Sequence, residues 1–151
     1  MKRRTLLSLL PAAALAACAA PPPAPAVLTL TIKAGANQNP DPTGKAAPVA
    51  VRLYQLGAAG KFQTADVFSL IDHEAATLGA DDLGSEQILV KPGQTLTETR
   101  ILKPGTQFLG VAVLFRDIDH STWRQMAPVA ASGPTKLILT INGLVAKLGP
   151  S

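Results

Sequence analysis

Val27 to Lys33 reads VLTLTIK, placing Leu28, Leu30 and Ile32 on one side of an extended chain and Thr29, Thr31 and Lys33 on the other. This period of two predicts a strand with one buried face. Val49 to Leu56, VAVRLYQL, repeats the pattern through Val49, Val51 and Leu53, with Arg52 and Tyr54 opposite. Gln87 to Lys91 and Thr95 to Leu102 predict two further short strands, stopped at Pro92-Gly93 and at Pro104-Gly105. Both stops read KPG and lie twelve residues apart. Each suits a type II turn, in which proline presets φ at the second position and glycine supplies the positive φ of the third. Thr106 to Phe115, TQFLGVAVLF, is apolar on both faces and predicts a central strand. Trp123 to Val129 and Thr135 to Asn142 complete the set, with Leu137, Leu139 and Ile141 sharing a face of the last. Strands spaced in this way predict an all-β sandwich or barrel.

One segment breaks the period. Thr64 to Leu83, TADVFSLIDHEAATLGADDL, carries Val67, Leu70 and Ile71 at helical spacing. Thr64 is a suitable cap and Asp66 suits the positive first turn, so one or two short helices are expected between the second and third strands.

The N-terminus follows a different logic. Lys2, Arg3 and Arg4 form a positive head, and Leu6 to Ala17 an apolar stretch of about a dozen residues. Spanning a bilayer as a helix takes roughly 20, so residues 1–17 read as a signal peptide. Leu15-Ala16-Ala17-Cys18 resembles the bacterial lipobox, in which the cysteine sulfur receives a diacylglyceryl group and becomes the first residue after cleavage. By resemblance to the sorting rule for such lipoproteins, Ala19 in place of an aspartate implies the outer membrane, periplasmic face. Residues 18–26, the lipidated Cys18 and the proline-rich AAPPPAPA, then form an extended tether, because proline lacks an amide proton and fixes φ. At about 3.1 Å per residue its eight residues reach roughly 25 Å. Residues 27–151 are the folded body.

Composition narrows the partners. Three of the 14 basic residues precede Cys18, which leaves 11 against 10 acidic residues and a net charge of +1 for the rest. A body so nearly neutral, with no Lys/Arg cluster, is not expected to bind nucleic acid. Cys18 is the only cysteine, so no internal disulfide can form.

Candidate chemistry is thin. Asp117, Asp119, His120 and Ser121 gather just after the central strand; two carboxylates and an imidazole suit a divalent metal, but they equally suit a polar turn bonding its own backbone. Arg116 and Arg124 are expected to pair with Asp117 or Asp119. His73 and Glu74 are adjacent, so on a helix they do not share a face. Neither HExxH nor a glycine-rich phosphate loop is present. No catalytic residue, metal or cofactor is expected beyond the lipid on Cys18, and the protein is not expected to be an enzyme. Trp123 is the sole tryptophan, either a core or edge filler or an interface anchor.

Lys33 to Pro48, KAGANQNPDPTGKAAP, is long for a strand connection and too polar for a core. Such a loop is either functional or floppy.

Taken together, NPDPTGKAAPVAVRLYQL (Asn39 to Leu56), FQTADVFSLID with LGADDL downstream, KPGQT from Lys91, and FLGVAVLFRDIDHSTWR (Phe108 to Arg124) resemble the TssJ family. These are the VasD- or SciN-like outer-membrane lipoproteins of the bacterial type VI secretion system. The resemblance spans nearly all of the chain after Cys18, lipobox included. It implies a transthyretin-like two-sheet β-sandwich of about eight strands with an added helical segment. It also implies a non-catalytic role, binding the periplasmic C-terminal domain of TssM, which joins TssL, and so fixing a trans-envelope complex to the outer membrane. In the family the loop between the first two strands contributes to that contact. Here it corresponds to residues 35–47, with Asn37, Gln38, Asn39, Pro40 and Asp41 as the expected contact residues. Two departures stand out: DVFS replaces the more usual aromatic pair, and only a short tail follows the last strand. Two readings compete: a periplasmic lipoprotein that binds a small ligand or glycan at the sandwich edge or near Trp123, and a metal-dependent hydrolase built around Asp117, Asp119 and His120.

Overall fold

The chain crosses repeatedly between two four-stranded sheets. A computed structural model describes residues 18–151. The expected signal peptide, residues 1–17, lies outside the described residues. Cys18 to Pro25 is exposed and without regular structure. Strand β1 spans Ala26–Ala34, β2 Val49–Leu56, β3 Asp82–Val90, β4 Thr95–Ile101, β5 Phe108–Leu114, β6 Arg124–Pro128, β7 Gly133–Asn142 and β8 Val145–Pro150. One sheet has the order β4-β1-β7-β8 and the other β3-β2-β5-β6. Only β1 and β7 run parallel; every other pair is antiparallel. The loop from β1 to β2 is therefore a passage between sheets rather than a hairpin.

Alternation builds the core as expected. Leu28, Leu30 and Ile32 of β1 and Leu137, Leu139 and Ile141 of β7 face Val49, Val51 and Leu53 of β2 and Leu109, Val111 and Val113 of β5. All of this core lies within residues 26–148. The fold is the all-β sandwich with a helical insertion. β5 lies between β2 and β6, in keeping with its two apolar faces. Both KPG turns form, with Gly93 at φ 72° and Gly105 at φ 88°, closed by Gln94 N–H to Lys91 O (3.1 Å) and Thr106 N–H to Lys103 O (3.2 Å).

Several boundaries differ from the sequence reading. Ala26 opens β1 and is buried, so the tether is one residue shorter than expected. β3 begins five residues before Gln87, at Asp82, because the early part pairs with β2 without an alternating pattern. The short C-terminal tail is strand β8, entered through a two-residue turn with Gly143 at φ 56°. That first turn position is one the type II′ hairpin reserves for glycine.

The insertion is three short helices, α1 (Gly60–Thr64), α2 (Val67–Asp72) and α3 (Glu74–Leu78), followed by a 3₁₀ turn. Thr64 does not cap a helix. Its hydroxyl donates back to Gly60 O (3.1 Å) at the end of α1. Asp66 is the cap of α2 instead, accepting from the Ser69 amide (2.9 Å) and hydroxyl (2.6 Å). Helices this short do not persist alone. They are held by Phe62, Leu70 and Leu78, which pack on Tyr54, Leu56 and Ala112 on the outer face of the second sheet. Tyr54 donates to Leu70 O (3.3 Å), and burial pushes its phenol up to about 12. Gly110 makes this approach possible, since a Cβ there would lie 2.9 Å from Leu56 Cδ1 and Phe62 Cζ.

The outer face of the first sheet has no such cover. Its two sides also differ. On the β6–β8 side, Thr122 bridges to Val145 and Leu148 N–H donates to Gln125 Oε1 (3.1 Å). On the β3–β4 side the sheets part around a cleft of about 160 Å³, with Arg100 ion-paired to Glu86 (3.1 Å) and Glu98 (2.8 Å) at its rim.

Candidate functional site

The β1–β2 loop is anchored as firmly as a strand. At its start Gly35 N–H donates to Ile141 O (2.7 Å), while Gly35 O accepts from Gly93 N–H (3.2 Å). A Cβ at Gly35 would meet Asn142 Oδ1 at 2.5 Å and Asn37 Oδ1 at 2.7 Å, so a larger residue would displace both side chains. Asn37 Oδ1 accepts from Gly143 N–H (3.2 Å), and Asn39 N–H donates to Gly143 O (2.8 Å). The loop is thereby tied to the β3–β4 and β7–β8 turns at one end of the sandwich.

Gln38 and Asn39 turn inward. Gln38 is fully buried and donates through Nε2 to Val90 O (2.7 Å) and Ala47 O (3.3 Å). Asn39 is 5% exposed, donates to Pro48 O (2.9 Å) and accepts the amide of Arg116 (2.8 Å), which adds the β5–β6 connection to the cluster. Its φ of 46° is a conformation asparagine tolerates better than most residues. The two side chains do for this loop what a hydrophobic plug does elsewhere: they satisfy backbone groups that the crossing leaves unpaired.

Beyond them the chain returns to the surface. Asn37 is exposed, Pro40 and Asp41 are half-buried, and residues 42–45 form the exposed tip. Asp41 organises that tip: its Oδ1 accepts from the Thr43 hydroxyl (2.6 Å), the Thr43 amide (2.8 Å) and the Lys45 amide (2.9 Å). Those bonds, the Thr43 hydroxyl foremost and then the Lys45 amide, hold its carboxyl below the usual aspartate range. Of the five expected contact residues, the structure thus brings Asn37, Pro40 and Asp41 to the surface and commits Gln38 and Asn39 to the interior. Sequence reasoning counted all five as surface because their polarity hid which backbone groups needed partners.

The other candidates resolve into structural roles. Asp117 and His120 pair with each other (2.8 Å), which raises the imidazole above its ordinary range. Among the described residues no three His, Cys, Asp or Glu side chains converge to hold a metal. Arg124 does not pair with Asp117 or Asp119. Its guanidinium lies 4.4 Å from the centre of the Trp123 ring and donates to the carbonyls of Phe62 (3.0 Å), Gln63 and Ala65, the otherwise open end of α1. Burial lowers its affinity for the proton. Glu74 is held by Arg52 and by the Ser85 hydroxyl (2.6 Å), tying α3 to the sheet. Trp123 is half-buried against both cores. It lines an open groove with Phe68, which is 65% exposed.

The ends of the molecule are set by register. Ala26 pairs with Gly133 and Ala34 with Ile141, so β1 carries the Cys18 tether at one end and this loop cluster at the other. Cys18 is exposed and free, and among the described residues no helix is long and apolar enough to cross a membrane.

The family profile described as type VI secretion lipoprotein, VasD, EvfM, TssJ, VC_A0113 matches residues 26–144. The chain belongs to this family. Its fold is similar to that of the T6SS lipoprotein TssJ1 from Pseudomonas aeruginosa, at 32% identity and a TM-score of 0.81 over 84% of this chain and 97% of that one. It is also similar in fold to Serratia marcescens Lip, a membrane-bound component of the type VI secretion system, at 22% identity and a TM-score of 0.75, covering 84% and 98%. A chain of a structure described as the T6SS protein TssM C-terminal domain (869-1107) from EAEC matches at 25% identity and a TM-score of 0.69, covering 83% and 99%. No curated protein matches the chain.

Proposed function

We propose that this type VI secretion lipoprotein is held at the periplasmic face of the outer membrane by lipid on Cys18. Its opposite end binds the periplasmic C-terminal domain of TssM, within a complex that includes TssL. One observation carries the reading: the tether and the rigid polar loop cluster occupy opposite ends of the same strand, β1. An anchor at one end and a preorganised contact surface at the other suit a part that bridges a membrane to a second protein. A loop already fixed in its bound shape loses little entropy on association. Support from outside the chain comes from the similarity to a chain solved in a structure of the TssM C-terminal domain. Asn37, Pro40 and Asp41 are the direct contacts in this reading, and Gln38 and Asn39 position them. No cofactor other than the covalent lipid is required.

Calorimetry with the purified TssM fragment tests it. Asp41→Ala combined with Asn37→Ala removes surface groups and leaves the buried pair intact. The expected result is an affinity at least tenfold lower, with the melting temperature falling by no more than several degrees for the lost Asp41 and Asn37 hydrogen bonds. Unchanged affinity would remove the loop from the contact. In cells, Cys18→Ser should leave the folded protein in the soluble periplasmic fraction and stop secretion.

A further inference from the structure

The outer face of the sheet β4-β1-β7-β8 is bare, and its charge is of one sign. Thr29, Thr31 and Lys33 of β1 point outward beside Thr95, Thr97 and Thr99 of β4. On the other side they adjoin Lys136, Ile138 and Thr140 of β7, then Lys147 of β8. None of the outward positions on these four strands is Asp or Glu; the acidic side chain of this sheet, Glu98, points the other way, toward Arg100 at the cleft. Lys33, Lys136 and Lys147 are exposed and form no ion pair among the described residues. Thr140 pairs with Lys33 on one side and Lys147 on the other, so those two ammonium groups lie in one row, about 10 Å apart across two strand spacings. Lys136 stands four residues along β7 from that row, roughly 13 Å away. The face presents three cations among hydroxyl donors, with Ile101 (71% exposed) and Val145 (52% exposed) on its edge strands β4 and β8, a mixture complementary to the phosphates of a lipid surface.

We propose that this face lies against an anionic phospholipid surface. The inference rests on the lipid anchor proposed above, because the tether decides the occupant. It enters at Ala26, the first residue of β1, which is an inner strand of this face. A tether of about seven residues keeps the face within roughly 22 Å of the bilayer. At that distance weak attraction acts at a high effective concentration. Each lysine near an anionic surface contributes about fivefold to partitioning, so three contribute on the order of a hundredfold, and salt screens the effect. With the sheet lying flat, the loop cluster stays at the margin of the footprint and remains open to a partner.

The test uses the chain from residue 18 onward with Cys18→Ser, which keeps the whole core and removes the lipid. Co-sedimentation is measured with vesicles of phosphatidylcholine alone and with vesicles containing phosphatidylglycerol. The expected result is binding only to the anionic vesicles, weakened by salt. Lys33→Glu with Lys136→Glu and Lys147→Glu should abolish it, and the three Lys→Arg changes should preserve it, with circular dichroism unchanged in both. Equal binding to both vesicles, no binding to either, or undiminished binding by the glutamate variant would overturn the proposal. Retention on cell-wall glycan without vesicle binding would overturn it too. None of these outcomes touches the anchor itself, which the Cys18→Ser localisation experiment reads separately.

Discussion

Gln38 and Asn39 hold the loop cluster from beneath, so their loss is felt first as stability. Asn39→Ala removes the acceptor of the Arg116 amide and the donor to Pro48 O, and leaves alanine at φ 46°. A cost of about 2–3 kcal/mol is expected, a fall in melting temperature of roughly 10 °C. Asn37→Ala at the exposed end of the same stretch should cost less than about 1 kcal/mol. Thermal unfolding of the two variants side by side checks the contrast; equal losses would mean that burial does not separate their roles. Neighbouring asparagines look alike in the sequence. What distinguishes them is which unpaired carbonyl or amide each one reaches, and that depends on where residues 90, 116 and 143 arrive in space. Asp41 was more legible, since an aspartate two residues before a threonine in DPTGK has local backbone to bond.

The Asp41 turn carries a pH dependence at the level of the loop. Its carboxyl is held below the usual value of 3.8, so the stabilisation it gives is complete above that value and disappears as pH falls through the lowered folded-state value. Protection factors of the Thr43 and Lys45 amides should therefore be high at pH 5–7 and fall in acid well below pH 4, whereas Asp41→Ala, which has no side-chain acceptor, should show low protection at all pH. Protection persisting in the variant would assign the turn to other bonds. The helical insert depends on a different element, the flat patch that Gly110 leaves on β5. Gly110→Ala drives a methyl into Phe62 and Leu56, an overpacking cost of about 1–3 kcal/mol. Near-ultraviolet circular dichroism should report loosened Tyr54 and Phe62 packing, and an unchanged spectrum would mean that the insert tolerates displacement. Period and turn chemistry made the strands and both KPG turns readable, because each is decided within a few residues. The helices were readable only as a region. Their ends are fixed by Asp66 and by Arg124, nearly sixty residues away in the chain. β8 was unreadable for a similar reason: Gly149 and Pro150 look like a tail until β7 supplies a partner.

At the scale of the whole molecule the organising fact is polarity along β1. One end receives the tether from Cys18, and the other gathers the loops that contain Asn37, Asn39, Gly93, Arg116 and Gly143. The two faces differ as well, one covered by helices and one bare. The strand pattern and the family were legible from residue order alone. The opposition of the two ends required knowing which strands pair, since a loop of polar residues says nothing about where it sits relative to an anchor. A photoreactive amino acid placed in living cells at Pro42, on the exposed tip, or at Pro134, beside the tether, measures this polarity directly. The account predicts a crosslink to TssM from position 42 and none from position 134. A crosslink to TssM from position 134 with none from position 42 would contradict it.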